Sequence, residues 1–312
     1  MRVPRTTAGV VATLLLIGLR LGSAYLAEAA VPKPGTAVPK PGTAVPAPGT
    51  ALPPPSAPRS GWDDPSSHGP IPVKAVVVSV YDGDTFTLET GDKIRLRWVN
   101  TPEMKPEEPW ARDAKAFTDR FVRGEEVDLQ VGSEGRDSYG RILAGVTTSE
   151  GSLSLALLEE GLGHLFLIPP DEIDLAPLYA AEERARAAGR GIWSHERFAG
   201  PLHITSFHGN GRGDDATNPN AESIRICNIS GKPLDLSQFR VRNEAGQVFP
   251  LGRMNVPPGY TVKIQSGRGT NQTDPTRQQV TYLNQTTGIW NDEGDTAELI
   301  DATGRVVDWS KH

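Results

Sequence analysis

Two neighbouring stretches carry the oxygens and guanidinium groups that phosphoryl chemistry needs. YDGDTF, Tyr81 to Phe86, is an acidic turn. RLRWVNTPEM, Arg95 to Met104, follows it with a cation, a threonine and a carboxylate at a strand-to-loop boundary. Cleaving a phosphodiester requires neutralising a non-bridging oxygen, activating a water and stabilising charge on the pentacoordinate transition state. A hard cation held by carboxylate and carbonyl oxygens does the first, a carboxylate near the water the second, and guanidinium forks the third. Asn100 stands where such a wall is expected to hold a second carboxylate.

Composition narrows the alternatives. The 312 residues suggest two domains plus extra segments, and a net charge of −6 excludes a chain that is basic throughout. Residues 71–200 hold 15 basic and 23 acidic side chains, so positive charge in the catalytic region has to be local. A single cysteine, Cys227, excludes an internal disulfide framework and a cysteine-rich zinc site, and reads as a buried core thiol. The six histidines are scattered, with no pair at helical ligand spacing, which favours a hard cation on oxygen ligands over zinc.

Residues 1–29 read as a signal peptide, with an uncleaved anchor as the lesser alternative: a basic start, the apolar run VVATLLLIGL cut off by Arg20, and small residues at Ala27 and Ala29. After its cleavage no stretch is long and apolar enough for a transmembrane span, and the expected location is secreted, with retention at the cell surface as a variant. Residues 30–70 carry the heptapeptide repeat VPKPGTA, VPKPGTA, VPAPGTA and read as a solvated polyproline-like spacer.

Residues 71–199 hold five β-rich segments, VKAVVVSV, TFTLET, KIRLRWV, EVDLQVG and RILAGVTT, bounded by Gly, Asp and Ser turns. Between the third and fourth, EEPWARDAKAFTDRFVRG places Trp110, Ala114, Phe117 and Phe121 on one helical face. SLSLALLEEG and APLYAAEERARAAG supply two more helices. The order predicts an OB-type five-stranded β-barrel with three helices. Residues 201–312 lack helical periodicity. The strand-like segments ESIRICNIS, QFRVRN, QVFPLG, YTVKIQSG, QVTYLN and TAELID predict an all-β sandwich of immunoglobulin type. In it, WNDEGDT reads as a hairpin connection, with an acidic metal loop as the lesser alternative, and Arg212-Gly213-Asp214 as a chance tripeptide. Arg225, Arg240, Arg242, Arg253, Arg268 and Arg277 read as a solvated face, with phosphate binding as the lesser alternative.

YDGDT, IRLRWVNTPE, DSYGRILA, LLEEGLGHL and GIWS occur in the order and approximate spacing of the staphylococcal nuclease (thermonuclease-like) family, a resemblance covering about 125 residues. SIRICNISGKPLDLSQFRVRNEAGQVFPL, VPPGYTVKI and WNDEGDTAELIDATGRVVD resemble the lamin-tail family. The first resemblance implies Asp84 and the Thr101 carbonyl as Ca2+ ligands, with Asn100 at the family's second aspartate. It further implies Glu103 as general base, Arg95 and Arg141 on the phosphate, Tyr139 near substrate, and Asp82 as outlying charge. Singly these residues have plain readings: DGDT as a turn, Arg95 as a polar-face residue, Arg141 as a turn cation. In register together they favour a site.

Besides Asn100, the chain departs from the family in LGHLFLIPP, which is aliphatic but for Phe166 where the family offers tyrosines, and at Ser138, which replaces a frequent lysine. The implied function is a secreted Ca2+-dependent endonuclease acting on DNA, with RNA as a further candidate substrate, and leaving 3′-phosphates, with a C-terminal domain whose partner is DNA or the cell envelope. The alternative is a catalytically weak or inactive nuclease-like binding module serving as a surface adhesion or scaffold protein.

Overall fold

The computed structural model describes residues 69–170, 173–210 and 218–312. The signal segment, nearly all of the proline-rich spacer and the Arg212-Gly213-Asp214 tripeptide lie outside the described residues. Among those described, no helix is long and apolar enough to cross a membrane.

In the first domain the strands are β1 (Lys74–Val80), β2 (Thr85–Leu88), β3 (Lys93–Leu96) and β4 (Trp98–Asn100). Helix α1 (Ala111–Val122) precedes β5 (Glu126–Arg136), β6 (Ile142–Thr148) and the short β7 (Gly151–Ser152). Helix α2 (Leu153–Glu159), β8 (His164–Phe166) and helix α3 (Ala176–Ala187) complete it. The sheet runs β3-β2-β1-β5-β6-β7, and a parallel β3–β6 pairing closes β1, β2, β3, β5 and β6 into a five-stranded barrel. Alternating Val77, Phe86, Leu88, Ile94, Leu96, Ile142 and Ala144 fill its interior.

The expected strand KIRLRWV is broken in two. Trp98 adopts φ 67°, and β4 leaves the barrel to pair with β8. Gly145 lies under the Trp98 ring, where a Cβ would come within 2.3 Å of it, so the indole fills the space a side chain would take. Helix α1 forms where its periodicity places it, burying Ala114, Thr118 and Phe121. Trp110 does not join that face. It caps the helix at φ 71° and stays partly exposed.

The second domain comprises β9 (Leu202–His208), β10 (Ser223–Asn228), β11 (Leu234–Asp235), β12 (Arg240–Arg242) and β13 (Val248–Pro250). It continues with β14 (Asn255–Val256), β15 (Thr261–Gln265), β16 (Gln279–Tyr282), β17 (Thr296–Ile300) and β18 (Val306–Lys311). Sheets β16-β15-β10-β9 and β13-β12-β17-β18 face each other across Ile224, Ile226, Val241, Val262, Ile264 and Leu299. Strands β9, β11, β14 and the terminal β18 are additions to the expected set. WNDEGDT joins β16 to β17 across the two sheets and is not a hairpin. The Asp295 carboxylate accepts from the backbone N–H groups of Glu244, Asn291 and Thr296, which makes it the internal brace of that crossover. The arginines expected on one face are divided, Arg225 on the first sheet and Arg240 and Arg242 on the second, with Arg242 bound to Glu298 at 2.6 Å.

The two domains meet along β8. Leu167 N–H donates to the Gly259 carbonyl at 2.8 Å, Thr261 N–H to the Leu167 carbonyl at 3.1 Å, and Cys227 Sγ–H to the Leu165 carbonyl at 3.2 Å. Gly259 is required there. Its φ is +75°, and a Cβ would sit 2.8 Å from Leu165 Cβ. Ile192, Phe198, Cys227 and Ile229 form a small apolar core at the crossing.

Candidate active site

The acidic turn is the rigid floor of the site. Gly83 lets it pack against the second stretch, because a Cβ would come within 2.6 Å of Thr101 Oγ1. From below, Thr118 of α1 donates its hydroxyl to the Gly83 carbonyl at 2.6 Å. Asp82 and Asp84 are buried, 7% and 5% exposed, and Asp82 Oδ1 accepts the Asp84 N–H at 3.0 Å. Asp84 Oδ2 accepts the N–H and hydroxyl of Thr101 at 2.9 and 3.1 Å and lies 3.1 Å from Arg95 Nη1. The two stretches are therefore one unit, clasped through a single carboxylate.

Arg95 is positioned by the break after β3. Its Nη1 donates to the Leu96 and Val99 carbonyls at 2.9 and 3.1 Å, and its Nη2 to Asn100 Oδ1 at 2.7 Å. Its guanidinium carbon lies 5.4 Å from the centre of the Phe166 ring, which β8 brings opposite Trp98. Nε–H and one Nη2–H have no partner among the described residues, leaving two of the five donors for an anion. The Asn100 amide donates in turn to the Thr101 carbonyl at 3.2 Å. In this arrangement Asn100 orients the arginine as much as it presents an oxygen to the site.

Glu103 completes the acidic side. Burial, reinforced by the charge of Asp84 and opposed by Arg95, raises its pKa to about 8, and the same two effects raise Asp82 to about 7. No donor pairs with the Glu103 carboxylate among the described residues. Its backbone is fixed by Glu108, whose Oε2 accepts the Glu103 N–H at 3.0 Å. Glu108 is held by Arg197 Nη2 at 3.0 Å, from the segment leading into the second domain, and by His203 Nε2 of β9 at 3.7 Å. Arg197 Nη1 and His203 Nδ1 reach Asp308 at 2.7 and 3.1 Å. Burial alone would neutralise His203, but Asp308 and Glu108 flank it and raise its pKa to about 10. Burial likewise opposes the charge on Glu108, yet His203, the Glu103 N–H and Arg197 hold its pKa at about 2. Protonated His203 makes this buried quartet of two cations and two carboxylates neutral.

Arg141 is not brought into contact with this cluster. It precedes the Ile94–Ile142 register pair at the start of β6, and Asp137 Oδ2 holds its Nε at 2.7 Å. Its guanidinium carbon stacks 5.4 Å from the Tyr139 ring centre, and Tyr139, half exposed, meets His208 Nε2 through its hydroxyl at 3.2 Å.

Among the described residues no group of three or more His, Cys, Asp or Glu side chains is arranged to hold a metal. A cation here would depend on Asp84 with the amide oxygen of Asn100 and the carbonyl of Thr101. Those are hard donors suited to Ca2+. The raised pKa values of Asp82 and Glu103 fit it too, since three buried or partly buried carboxylates face one guanidinium and the negative excess is unneutralised.

A family model described as staphylococcal nuclease homologue matches residues 93–195, and one described as Lamin Tail Domain matches residues 196–312. The first domain is similar to the thermonuclease of Staphylococcus intermedius, 30% identical over 125 residues covering 38% of this chain and 74% of that protein. It is also similar to endonuclease YhcR of Bacillus subtilis, 32% identical over 147 residues covering 42% of this chain and 12% of that protein. A third similarity is to endonuclease YncB of the same organism, 30% identical over 122 residues covering 36% of this chain and 58% of that protein.

Proposed function

The chain belongs to the staphylococcal nuclease family, with a lamin tail domain behind its nuclease domain, and we propose that it is a secreted, Ca2+-dependent endonuclease acting on DNA. The observation that carries the reading is the clasp of Asp84, Arg95, Asn100 and Thr101 beside the unpaired carboxylate of Glu103. Asp84, the Thr101 carbonyl and the Asn100 amide oxygen would hold the cation. Bound there, Ca2+ supplies positive charge to a non-bridging phosphate oxygen.

The remaining work falls to side chains. Glu103 accepts the proton of the attacking water, held at the right height by the Glu108 carboxylate behind its N–H. Arg95 turns its free Nε–H and Nη2–H to the phosphate oxygens, where charge builds in the transition state. Displacement in line of the 5′ oxygen leaves a 3′-phosphate. The aliphatic LGHLFLIPP segment offers Phe166 alone for stacking, and that ring already lies against Arg95, so base preference on this side should be weak.

The test is plasmid nicking by the full chain with Ca2+ titrated to millimolar levels, against a chelator control. Glu103→Gln should lower the rate by ~10²–10⁴-fold, the range for one general base. An unchanged rate in that variant rejects the mechanism. The guanidinium of Arg141, tied to Asp137, favours a second reading, a nuclease-like module that binds without cutting. Binding without nicking at any Ca2+ concentration would select it.

A further inference from the structure

The outer face of the first sheet of the lamin tail domain is divided along its length. Cross-strand register aligns Cys227 with Thr261 and His203, Arg225 with Lys263 and Ser206, and Ser223 with His208. The first row is docked on β8 through the Leu165 and Leu167 carbonyls. The other two rows lie further along the same face of these strands. There His208 meets the hydroxyl of Tyr139, whose ring lies under Arg141.

Arg225 is unusual among the partly buried arginines. Arg186, Arg197 and Arg242 each meet a carboxylate within 3.0 Å. Among the described residues no carboxylate pairs with Arg225 or with Lys263. Arg225 donates instead to two neutral oxygens, Gln278 Oε1 and Thr261 Oγ1. Those are fixed in turn, since Gln278 Nε2 donates to the Thr261 carbonyl at 3.1 Å and Thr261 Oγ1 to the Leu167 carbonyl at 3.2 Å. The guanidinium is clamped but not neutralised. Burial, with the positive charge of Arg95 adding to it, lowers its pKa to about 10, so the group remains charged at neutral pH. Holding two cations together away from full solvation is costly unless an anion joins them.

We propose that Arg225 and Lys263, with His208 and Tyr139 at their edge, form a phosphate subsite that grips the nucleic-acid strand beyond the scissile bond. The proposal rests on the nuclease reading and deepens it. The lamin tail domain becomes part of the substrate groove, supplying the local positive charge that an acidic barrel lacks. Tyr139 gives a face on which a base can stack, and the two cations take the next phosphate along the strand.

The experiment uses the full chain carrying Glu103→Gln, so that binding is read without cleavage. Anisotropy of a labelled single strand of about a dozen nucleotides is followed from ~50 to ~200 mM salt. Arg225→Gln and Lys263→Gln should each weaken binding ~5–30-fold at low salt, as for one lost charge-assisted phosphate contact. Each should also lower the slope of log affinity against log salt by ~0.7. Arg253→Gln, the same charge change at an exposed position of that domain, should leave the slope alone. If Arg225→Gln proves poorly folded by thermal melting, Lys263→Gln and Lys263→Glu carry the test. Slopes equal to that of Arg253→Gln overturn the subsite. A parent chain that nicks plasmid while both variants keep the full slope refutes the subsite and spares the nuclease. Arg225-dependent binding by a wild-type chain that never nicks does the reverse.

Discussion

Substituting His203 tests whether the buried quartet at the domain seam is held by charge. The imidazole is 1% exposed and lies between Asp308 at 3.1 Å and Glu108 at 3.7 Å. Its pKa rises from 6.5 in the unfolded chain to about 10 in the folded one, so folding favours the protonated form. The stabilisation is then complete below pH 6.5 and drains away as pH climbs towards 10. At roughly 1.36 kcal/mol per pH unit between the two values, the ceiling is about 4 kcal/mol at pH 6.5 and about 1 kcal/mol at pH 9.5. Urea unfolding of wild type and His203→Gln at both pH values gives the quantity directly. Taking the difference between the two proteins cancels the lysines and tyrosines that titrate in both. The gap should be about 2–4 kcal/mol at the lower pH, allowing for relaxation around a buried pair, and should shrink to about 1 kcal/mol at the higher. Equal gaps at the two pH values would show that His203 is neutral in the fold and that the quartet is not a charge-balanced unit.

Other perturbations have equally definite outcomes. Asn100→Asp adds a charge to the cation site while keeping an acceptor for Arg95, so the Ca2+ needed for half-maximal nicking should fall. An unaltered requirement removes residue 100 from the ligand set. Gly259→Ala forces a side chain to φ +75° against Leu165, and melting or urea titration should report a loss of about 2–3 kcal/mol. The Cys227 thiol is buried at the seam, and burial raises its pKa well above the usual value. Labelling by a thiol reagent should be slower in native buffer than in denaturant by on the order of 10³. Fast native labelling would mean that the seam opens readily.

The parts legible in the sequence are those encoded within short stretches. The acidic turn and RLRWVNTPEM are adjacent along the barrel, so the clasp of Asp84, Thr101 and Arg95 follows from local chain order. Strand alternation likewise marks the barrel and most of the sandwich, because one side of each strand faces a core. It fails for β9 and β18, where polar residues expected to face solvent are buried. His203 faces Glu108 of the other domain, Asp308 is buried behind it against His203 and Arg197, and periodicity registers both positions as surface. Glu108, Arg197 and Asp308 are far apart in the chain, and no spacing rule links a loop glutamate to partners in a different fold. Arg95 shows the opposite difficulty. The family resemblance sets it on the phosphate, whereas the break at Trp98 supplies backbone carbonyls that absorb part of its donor capacity. Arg225 read as one solvated arginine among six, because only the docking of the two domains reveals its surroundings.

The contacts of β8 with Gly259 and Thr261 bear on how these halves can be separated. The family boundary near residue 195 looks like a place to cut, yet Leu165 and Leu167 are fully buried and their backbone groups are bonded across it. A nuclease fragment ending there would display an apolar strand with unanswered N–H and C=O groups, a template for self-association. It would also lose the arginine and histidine behind Glu108, and with them the anchor of its general base. The two domains share one seam of backbone bonds and apolar side chains, so shuffling the tail onto another enzyme would transplant half of it.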